Sequence, residues 1–546
     1  MKTVRDHQSS RWARPSLPFD LLAPVACGAG ALVLYGATLA PSIALENGAG
    51  DSGELASTAY TLGIAHPTGY PLYTMIGFVV THLGRGEPAY LLNIFSAVMG
   101  AICIGLTGRV AIGMLNKVHP RGSRLLAGAA VLGGVAPFAL SYYLWTEATI
   151  AETRTLALAL DAGVLALLGA PGRLSGRRVA VAALLYGLAL CDHLLSLYLA
   201  PGVVILCIPW AGRRVERWLM AVGSVALGLI PYAYLPLRAA MNPVADWGHP
   251  TTPGQLLWVV SGAEYHDRMF GLDASALLGR IGGSLALLGT EAPLPMAAAA
   301  VIGLMVLAKK PGTRSVSLAL AATIVIDIVL TSTYQAVAAP AYLLLGQLCI
   351  ALAASIGFFV VMEKMRGAAA LLGRAAVPAT VVALLTVVTV STWGPAVSAS
   401  RAVVAARSTT TRDDAVMTLR GLPRNAIILA SGDVASVPLW YAQRGLGVRP
   451  DVTIVATSLL VFSWYDREVR MQTAFDPLLL PPVDPRDDPT GLSTLAEQRL
   501  RALVLAATPD HPVFLNEPTP ALDVVCRQLL DEARSTPTRS TFACLR

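Results

Sequence analysis

The sequence predicts a polytopic α-helical membrane protein that carries a C-terminal α/β domain on the extracytoplasmic side. Three observations predict it. The 546-residue chain is 55% hydrophobic and only 14% charged, with a mean hydropathy of +0.60, too apolar for a water-soluble domain. Apolar runs of roughly twenty residues, the length that crosses a hydrocarbon core, recur as far as residue 393. Beyond that point, polar residues interleave with short strand-like and helix-like pieces.

The basic stretch "MKTVRDHQSSRWARPS" precedes the first run. It lacks a short apolar segment ending in a small-residue cleavage site, so residues 1–20 read as a cytoplasmic leader rather than a cleaved signal. Candidate spans follow at 21–45, 88–115, 125–144, 146–169, 179–194, 195–210, 218–237, 293–308, 316–335, 340–362 and 375–393, about eleven helices. Lys and Arg cluster on alternate connections: the leader, Lys117 to Arg124, Arg173 to Arg178, Arg213 to Arg217, Lys309 to Arg314 and Lys364 to Arg374. That alternation puts every basic cluster on the cytoplasmic side, N-terminus in and C-terminus out. The runs 179–194 and 195–210 are short, yet the arginines at both ends require an even number of crossings, hence a hairpin. The membrane is a plasma membrane if the source is bacterial and the endoplasmic reticulum if it is eukaryotic. The net charge of +7 is thereby topological, and no nucleic-acid partner is expected.

Residues 21–397 thus form the membrane domain, with a long outer loop at 46–87, and residues 398–546 the α/β domain. In the latter, "NAIILASG", "DVTIVATSLL" and "HPVFLNEP" read as strands, with "SVPLWYAQRGLG" and "LDVVCRQLLDEAR" at helical spacing. Five of the seven cysteines (Cys27, Cys103, Cys191, Cys207, Cys349) lie in or beside apolar runs, where a free thiol behaves as a small hydrophobe. Cys526 and Cys544 fall in the polar tail. Whether they pair as a disulfide depends on a Cα approach that spacing leaves open.

The outer loop holds the densest chemistry, "GDSGELASTAYTLGIAHPTGYPLYT". Asp51 and Glu54 open a helix. They can cap it, Asp51 accepting from orphan N–H groups and Glu54 reaching back; equally, a carboxylate on the outer face can serve as general base for an acceptor hydroxyl. His66-Pro67 and Tyr70-Pro71 bias His66 and Tyr70 to extended geometry, either as a plain turn or as a rigid binding loop. Glu147 and Glu152 beside Arg154 read as a local ion pair, and Asp192 with His193 as a hairpin turn or a site for a donor headgroup. Asp161 and Asp327 lie within apolar runs, where each needs a partner helix or a task such as proton-coupled transport. "YLPLRAAMNPVADWGHP" combines Arg238, Asn242, Trp247 and His249. Its Arg238 either snorkels to the interface or binds a lipid phosphate. No Walker A loop, GxGxxG, HExxH or GxSxG occurs, so nucleotide-driven pumping and the common hydrolase mechanisms find no support.

These strings, with "LWTEATIAET", "CDHLLSLYLAPG" and "SGDVASVPLWYAQRGLGVRPDVTIVATSLL" followed by "SWY", resemble the transmembrane O-mannosyltransferase-like family, which includes the eukaryotic enzyme that mannosylates IPT domains and bacterial relatives. The resemblance implies a C-type glycosyltransferase bundle, a catalytic carboxylate on the first outer loop and a soluble outer domain. It implies a donor sugar carried on a polyprenyl phosphate and a protein or glycan hydroxyl as acceptor. It makes Asp51 the leading base and Glu54 the second, with His66 and Tyr70 lining the same site; Asp192, His193, Arg238 and Trp247 are substrate-binding candidates from the reading of the residues themselves. Two departures bear on donor and acceptor: Arg154 stands where a tyrosine-like residue is expected, and His249 where an acid is commoner. A divalent metal on Asp51 and Glu54 is only weakly suggested, two acids being a poor hard-cation site. A transporter or lipid flippase gated through Asp327, and a scaffold presenting the α/β domain, are the competing classes.

Overall fold

The structure is a computed structural model and describes residues 17–45, 50–169, 172–269, 271–336, 339–370, 376–472, 499 and 512–516. Each apolar run holds a helix: α1 (Leu17–Ala37), α4 (Pro88–Val118), α5 (Arg124–Ala139), α7 (Arg154–Gly169), α8 (Gly176–Asp192), α9 (Ala200–Ala211), α10 (Val215–Gly228), α14 (Leu294–Lys309), α15 (Arg314–Thr333), α16 (Leu344–Ala370) and α17 (Ala376–Ala406). Among the described residues four helices are long and apolar enough to cross a membrane, or six if two bent pairs each count once. Of the rest, α5, α7 and α8 are shorter than a span, because polar breaks cut the runs. Thus 146–169 is not one helix: α6 (Tyr142–Glu147) ends, a turn follows, and α7 starts only at Arg154. Between them Thr149 Oγ1 donates to the Thr146 carbonyl (2.9 Å), a local bond that competes with helix continuation. Likewise His193 ends α8, and a 3-10 turn at Leu194–Leu199 leads into α9.

The segment 238–290, expected as a long outer connection, is not all loop. It contains α12 (Pro253–Val260) and α13 (Ala274–Glu291), the latter meeting α14 at 102°. α13 lies against the outer end of α15, where Arg280 Nε donates to the Ser332 carbonyl (2.9 Å) and Ser284 meets Ser332 (2.9 Å). The loop 46–87 folds into α2 (Asp51–Thr61) and α3 (Pro71–Leu83), and α11 (Tyr234–Ala239) follows α10.

Small residues let the helices approach backbone to backbone, as membrane interfaces require. A Cβ on Gly357 of α16 would lie 1.8 Å from the Ala299 carbonyl oxygen of α14, and one on Gly303 1.9 Å from that of Ala353. The two intramembrane acids are tied to neighbouring helices. Asp161 Oδ2 accepts from Ser196 Oγ (2.8 Å), and Asp327 Oδ2 accepts from the Gly346 N–H in the first turn of α16 (2.9 Å). Both are the structural bonds that a buried carboxylate needs.

After α17, which runs past the expected boundary at 397 to Ala406, come α18 (Thr410–Gly421), β1 (Ile427–Ala430), α19 (Asp433–Trp440), β2 (Thr453–Ala456), α20 (Ser463–Gln472) and β3 (Val513–Leu515). The three strands form a parallel sheet in the order β2-β1-β3, with Ile427 opposite both Thr453 and Val513. Every residue of β1 and β2 is buried, as parallel strands covered by helices should be. The expected strand around "HPVFLNEP" is β3. "LDVVCRQLLDEAR", Cys526 and Cys544 lie outside the described residues, as does most of the leader. This α/β unit packs onto α2: a Cβ on Gly53 would meet Val437 Cγ1 at 2.8 Å. Glu87 clamps the contact, accepting from Tyr441 Oη (2.7 Å), Arg412 Nη1 (2.8 Å) and Ser42 Oγ.

Candidate active site

The site is built on α2. Gly50 precedes it with φ 69°, a left-handed turn that glycine makes without Cβ penalty. Ser52 Oγ both donates to the Ala44 carbonyl (2.9 Å) and accepts from the Ala44 N–H (3.0 Å), fastening the helix start to the exit of α1. Asp51 is therefore the first helical residue, not the cap, and no side chain caps this end. The capping box expected of Asp51 and Glu54 is not formed. Asp51 is half-buried, and its carboxylate makes no hydrogen bond among the described residues.

Glu54 turns the other way. Its Oε1 accepts the His66 backbone N–H (2.8 Å), and its Oε2 accepts from His66 Nδ1. Burial opposes a charge on His66, but Glu54 beside it, then Asp51 and Glu264, outweigh burial and raise the imidazole from 6.5 to about 10. Nε2 of the resulting imidazolium faces Tyr70 Oη (3.0 Å), which in turn donates to the Pro67 carbonyl (3.3 Å). Tyr70 is not extended. It sits at φ 40°, ψ 50° ahead of Pro71, the N1 residue of α3, a strained conformation that its contacts must hold. Those contacts include His193, whose ring stacks on Tyr70 (centroids 5.7 Å) and meets Tyr342 edge-on (5.3 Å).

The return of the loop is pinned by segment 245–247. The Ile64 N–H donates to the Ala245 carbonyl (2.8 Å) and the Trp247 N–H to the Ile64 carbonyl (3.3 Å). Trp247 then meets the His66 ring edge-on (centroids 6.0 Å apart) and donates Nε1–H to Glu264 Oε2 (2.9 Å). Burial raises Glu264 to about 7, against the pull of Trp247, His66 and Arg268. His249 Nδ1 bonds Asp246 Oδ2 (2.6 Å). On the bundle side, Arg154 Nη1 joins Glu147 (2.7 Å) and Glu152 (2.8 Å) in a fully buried cluster, with its guanidinium 5.7 Å from the Tyr342 ring. The expected ion pair is thus a triad beneath the site.

The structure gathers Asp51, Glu54, His66, Tyr70, His193 and Trp247. It does not bring Arg238 to them. Arg238 donates through Nε to the Leu62 carbonyl and through Nη2 to that of Thr61 (3.3 Å), capping the C-terminal end of α2. With a rise of about 1.5 Å per residue, that end lies roughly 15 Å from Asp51. Asp192 is wholly buried at the end of α8 beside His193, with neither carboxylate oxygen bonded among the described residues.

Sequence reasoning missed Arg268. It closes the 3-10 turn Ala263–Arg268 and is exposed, without a hydrogen bond or ion pair from its side chain among the described residues. Its charge acts on Glu264, Tyr334 and Asp433 at the rim of the site. Its position inside an apparently featureless segment hid it; an arginine in a connection expected on the same side as the acids was the available signal. Among the described residues no three His, Cys, Asp or Glu side chains gather as a metal-holding group.

The model of the protein O-mannosyl-transferase TMEM260 N-terminal domain matches residues 51–213, and that of TMEM260-associated domain 2 matches 411–478. Protein O-mannosyl-transferase TMEM260 of Mus musculus is 27% identical over 450 residues, covering 76% of this chain and 60% of that protein; the chain spans about three fifths of its relative's length. ArnT of Cupriavidus metallidurans, solved bound to undecaprenyl phosphate, superposes with a TM-score of 0.56 at 13% identity, covering 96% of each chain. The Archaeoglobus fulgidus oligosaccharyltransferase tethered to an acceptor peptide gives 0.52 at 11% identity, covering 89% of this chain and 68% of that one. The resemblance carried by the loop and tail strings is therefore to the TMEM260 protein O-mannosyl-transferases, with both of their matched domains set in the fold of ArnT.

Proposed function

We propose that the chain is an integral-membrane glycosyltransferase that moves a mannosyl group from a polyprenyl-phosphate carrier to a hydroxyl of a protein or glycan outside the cytoplasm. The observation that carries this reading is Asp51: a carboxylate with no hydrogen bond among the described residues, at a helix start on the first outer loop, inside the matched N-terminal domain. Asp51 takes the proton of the acceptor hydroxyl as its oxygen attacks the anomeric carbon. The bond from that carbon to the phosphate oxygen breaks, and polyprenyl phosphate leaves with the electron pair. Because the leaving group is already a phosphate, no nucleotide site is needed. Arg268 supplies the cation for the growing phosphate charge, a role that its planar, always-charged guanidinium suits. Glu54, bonded to His66 through both carboxylate oxygens, orients the loop.

The lipid tail runs between the helices of the bundle. The alternation of basic clusters supports about eleven crossings, with the N-terminus cytoplasmic and the α/β domain outside. The membrane domain is taken to extend to the end of α17 at Ala406, nine residues beyond the boundary at 397 read from the sequence, with the α/β unit after it.

The test is Asp51→Asn, assayed in lipid with polyprenyl-phosphate mannose and a serine- or threonine-containing acceptor. Loss of a general base lowers kcat by about 10²- to 10⁴-fold. Activity equal to that of the unaltered protein would remove Asp51 from the chemistry.

A further inference from the structure

We propose that the α/β unit forms a working wall of the active site, and that Trp464 on α20 is the positioning residue through which it holds the Glu54–His66 pair. This rests on the reading of that pair as part of a transferase centre.

Aromatic rings run unbroken from the α/β unit into the bundle. Phe462 stacks on Trp464 (centroids 5.8 Å), and Trp464 lies 5.3 Å from Trp247 at 35°. Trp247 meets His66 (6.0 Å), and His66 meets Tyr70 (5.0 Å). Each half-buried ring is thus seated by the next. His66 is gripped on one side by Glu54 and on the other by the edge of Trp247, and Trp247 has Trp464 against it. The same helix makes a second tie, Arg467 Nη2 donating to Asn242 Oδ1 (2.6 Å). Beside it the buried pair Arg444–Glu468 (2.5 Å) lines, with Glu54, Asp246 and Trp247, a cavity of only about 10 Å³. That space is too small for an indole to tilt into, so Trp247 stays in place as long as Trp464 fills its side. Interiors packed this closely respond to a lost ring by shifting neighbours or leaving a void.

Trp464→Leu removes the ring and gives Trp247 room to swing away from Glu264 and from His66. A misplacement of about 1 Å near reacting groups costs on the order of 10²-fold in rate. The donor anchor is held separately, since the carbonyl of Arg268 accepts from the Gln335 N–H (2.9 Å). The expected result with full-length protein in lipid is therefore a kcat lowered by roughly 10- to 100-fold with the KM for polyprenyl-phosphate mannose unchanged. Trp464→Phe, which keeps an aromatic face, restores most of kcat.

An activity-independent arm measures amide hydrogen exchange across residues 62–70, which should quicken in Trp464→Leu and stay near the unaltered rate in Trp464→Phe. A leucine variant with unaltered kcat and unaltered exchange overturns the proposal. So does equal loss in both variants, or a rise in KM in step with the fall in kcat while exchange stays the same. If the unaltered protein transfers no mannose, the functional reading fails, and the exchange comparison still decides whether Trp464 positions the loop.

Discussion

Replacing Glu54 by Gln keeps the shape of the side chain and leaves an oxygen to accept the His66 backbone N–H, but removes the negative charge that holds the imidazolium. The rise of His66 from 6.5 to about 10 corresponds to a ceiling of about 5 kcal/mol of preference for the charged ring, at about 1.4 kcal/mol per pKa unit. His66 retains 14% side-chain exposure, and solvent screening lowers that figure; breaking one partner of a buried pair typically costs about 3–5 kcal/mol. A loss of about 3 kcal/mol is therefore expected. The sign follows from the direction of the shift. Because the folded pKa lies above the ordinary value, the pair's contribution is complete below about pH 6.5 and fades as the pH rises through about 10. At pH 7.5 it is still largely present in the unaltered protein and is lost in Glu54→Gln. Thermal unfolding in detergent and the pH–rate profile of mannosyl transfer both read this out. The unaltered protein should lose activity only near the alkaline limit, while the variant should lose it about two or more pH units lower. An unchanged alkaline limb together with an unchanged thermal midpoint would refute the charged-pair assignment.

Arg268→Ala should raise the donor KM about tenfold or more, the scale of a lost charge-assisted bond, whereas Arg238→Ala should lower the thermal midpoint through the lost α2 cap and leave the donor KM alone. Steady-state kinetics on the two variants side by side distinguishes anchor from cap. Gly357→Ala forces α16 off α14 and should destabilise the bundle by about 1–3 kcal/mol, seen as a lowered unfolding temperature in the same detergent.

The membrane class, the helical runs and the α/β tail were legible because each depends on a local signal: run length, charge alternation or strand-like alternation between turn residues. The loop chemistry was legible for a related reason. Asp51, Glu54, His66 and Tyr70 lie within twenty residues, and two proline steps limit how the chain can turn between them. What this local pattern misjudged is informative. Its spacing suited a capping box, yet Gly50 took the cap and Glu54 bonded His66, twelve residues on. It also expected Tyr70 to be extended, whereas contacts with His66, Pro67 and His193 hold it left-handed.

The choice of arginine was beyond sequence reasoning altogether. Arg238 and Arg268 both fall in the long segment after α10, and only packing against the carbonyls of Thr61 and Leu62 commits the first, while the side chain of the second makes no hydrogen bond among the described residues. The roof of the site depends likewise on contacts across long stretches of chain, between Trp247 and Trp464 and between Glu87 and Arg412. The sequence by itself determined that this protein is a helical membrane protein with an acid-bearing loop after its first apolar run and an α/β tail, because composition and period act along the chain. Tertiary structure alone decided, among the described residues, that Glu54 bonds His66 while Asp51 makes no hydrogen bond, that Arg238 is tied to the end of α2 while the Arg268 side chain is not, and that Trp464 lies against Trp247. Those outcomes depend on partners that meet only when the bundle packs.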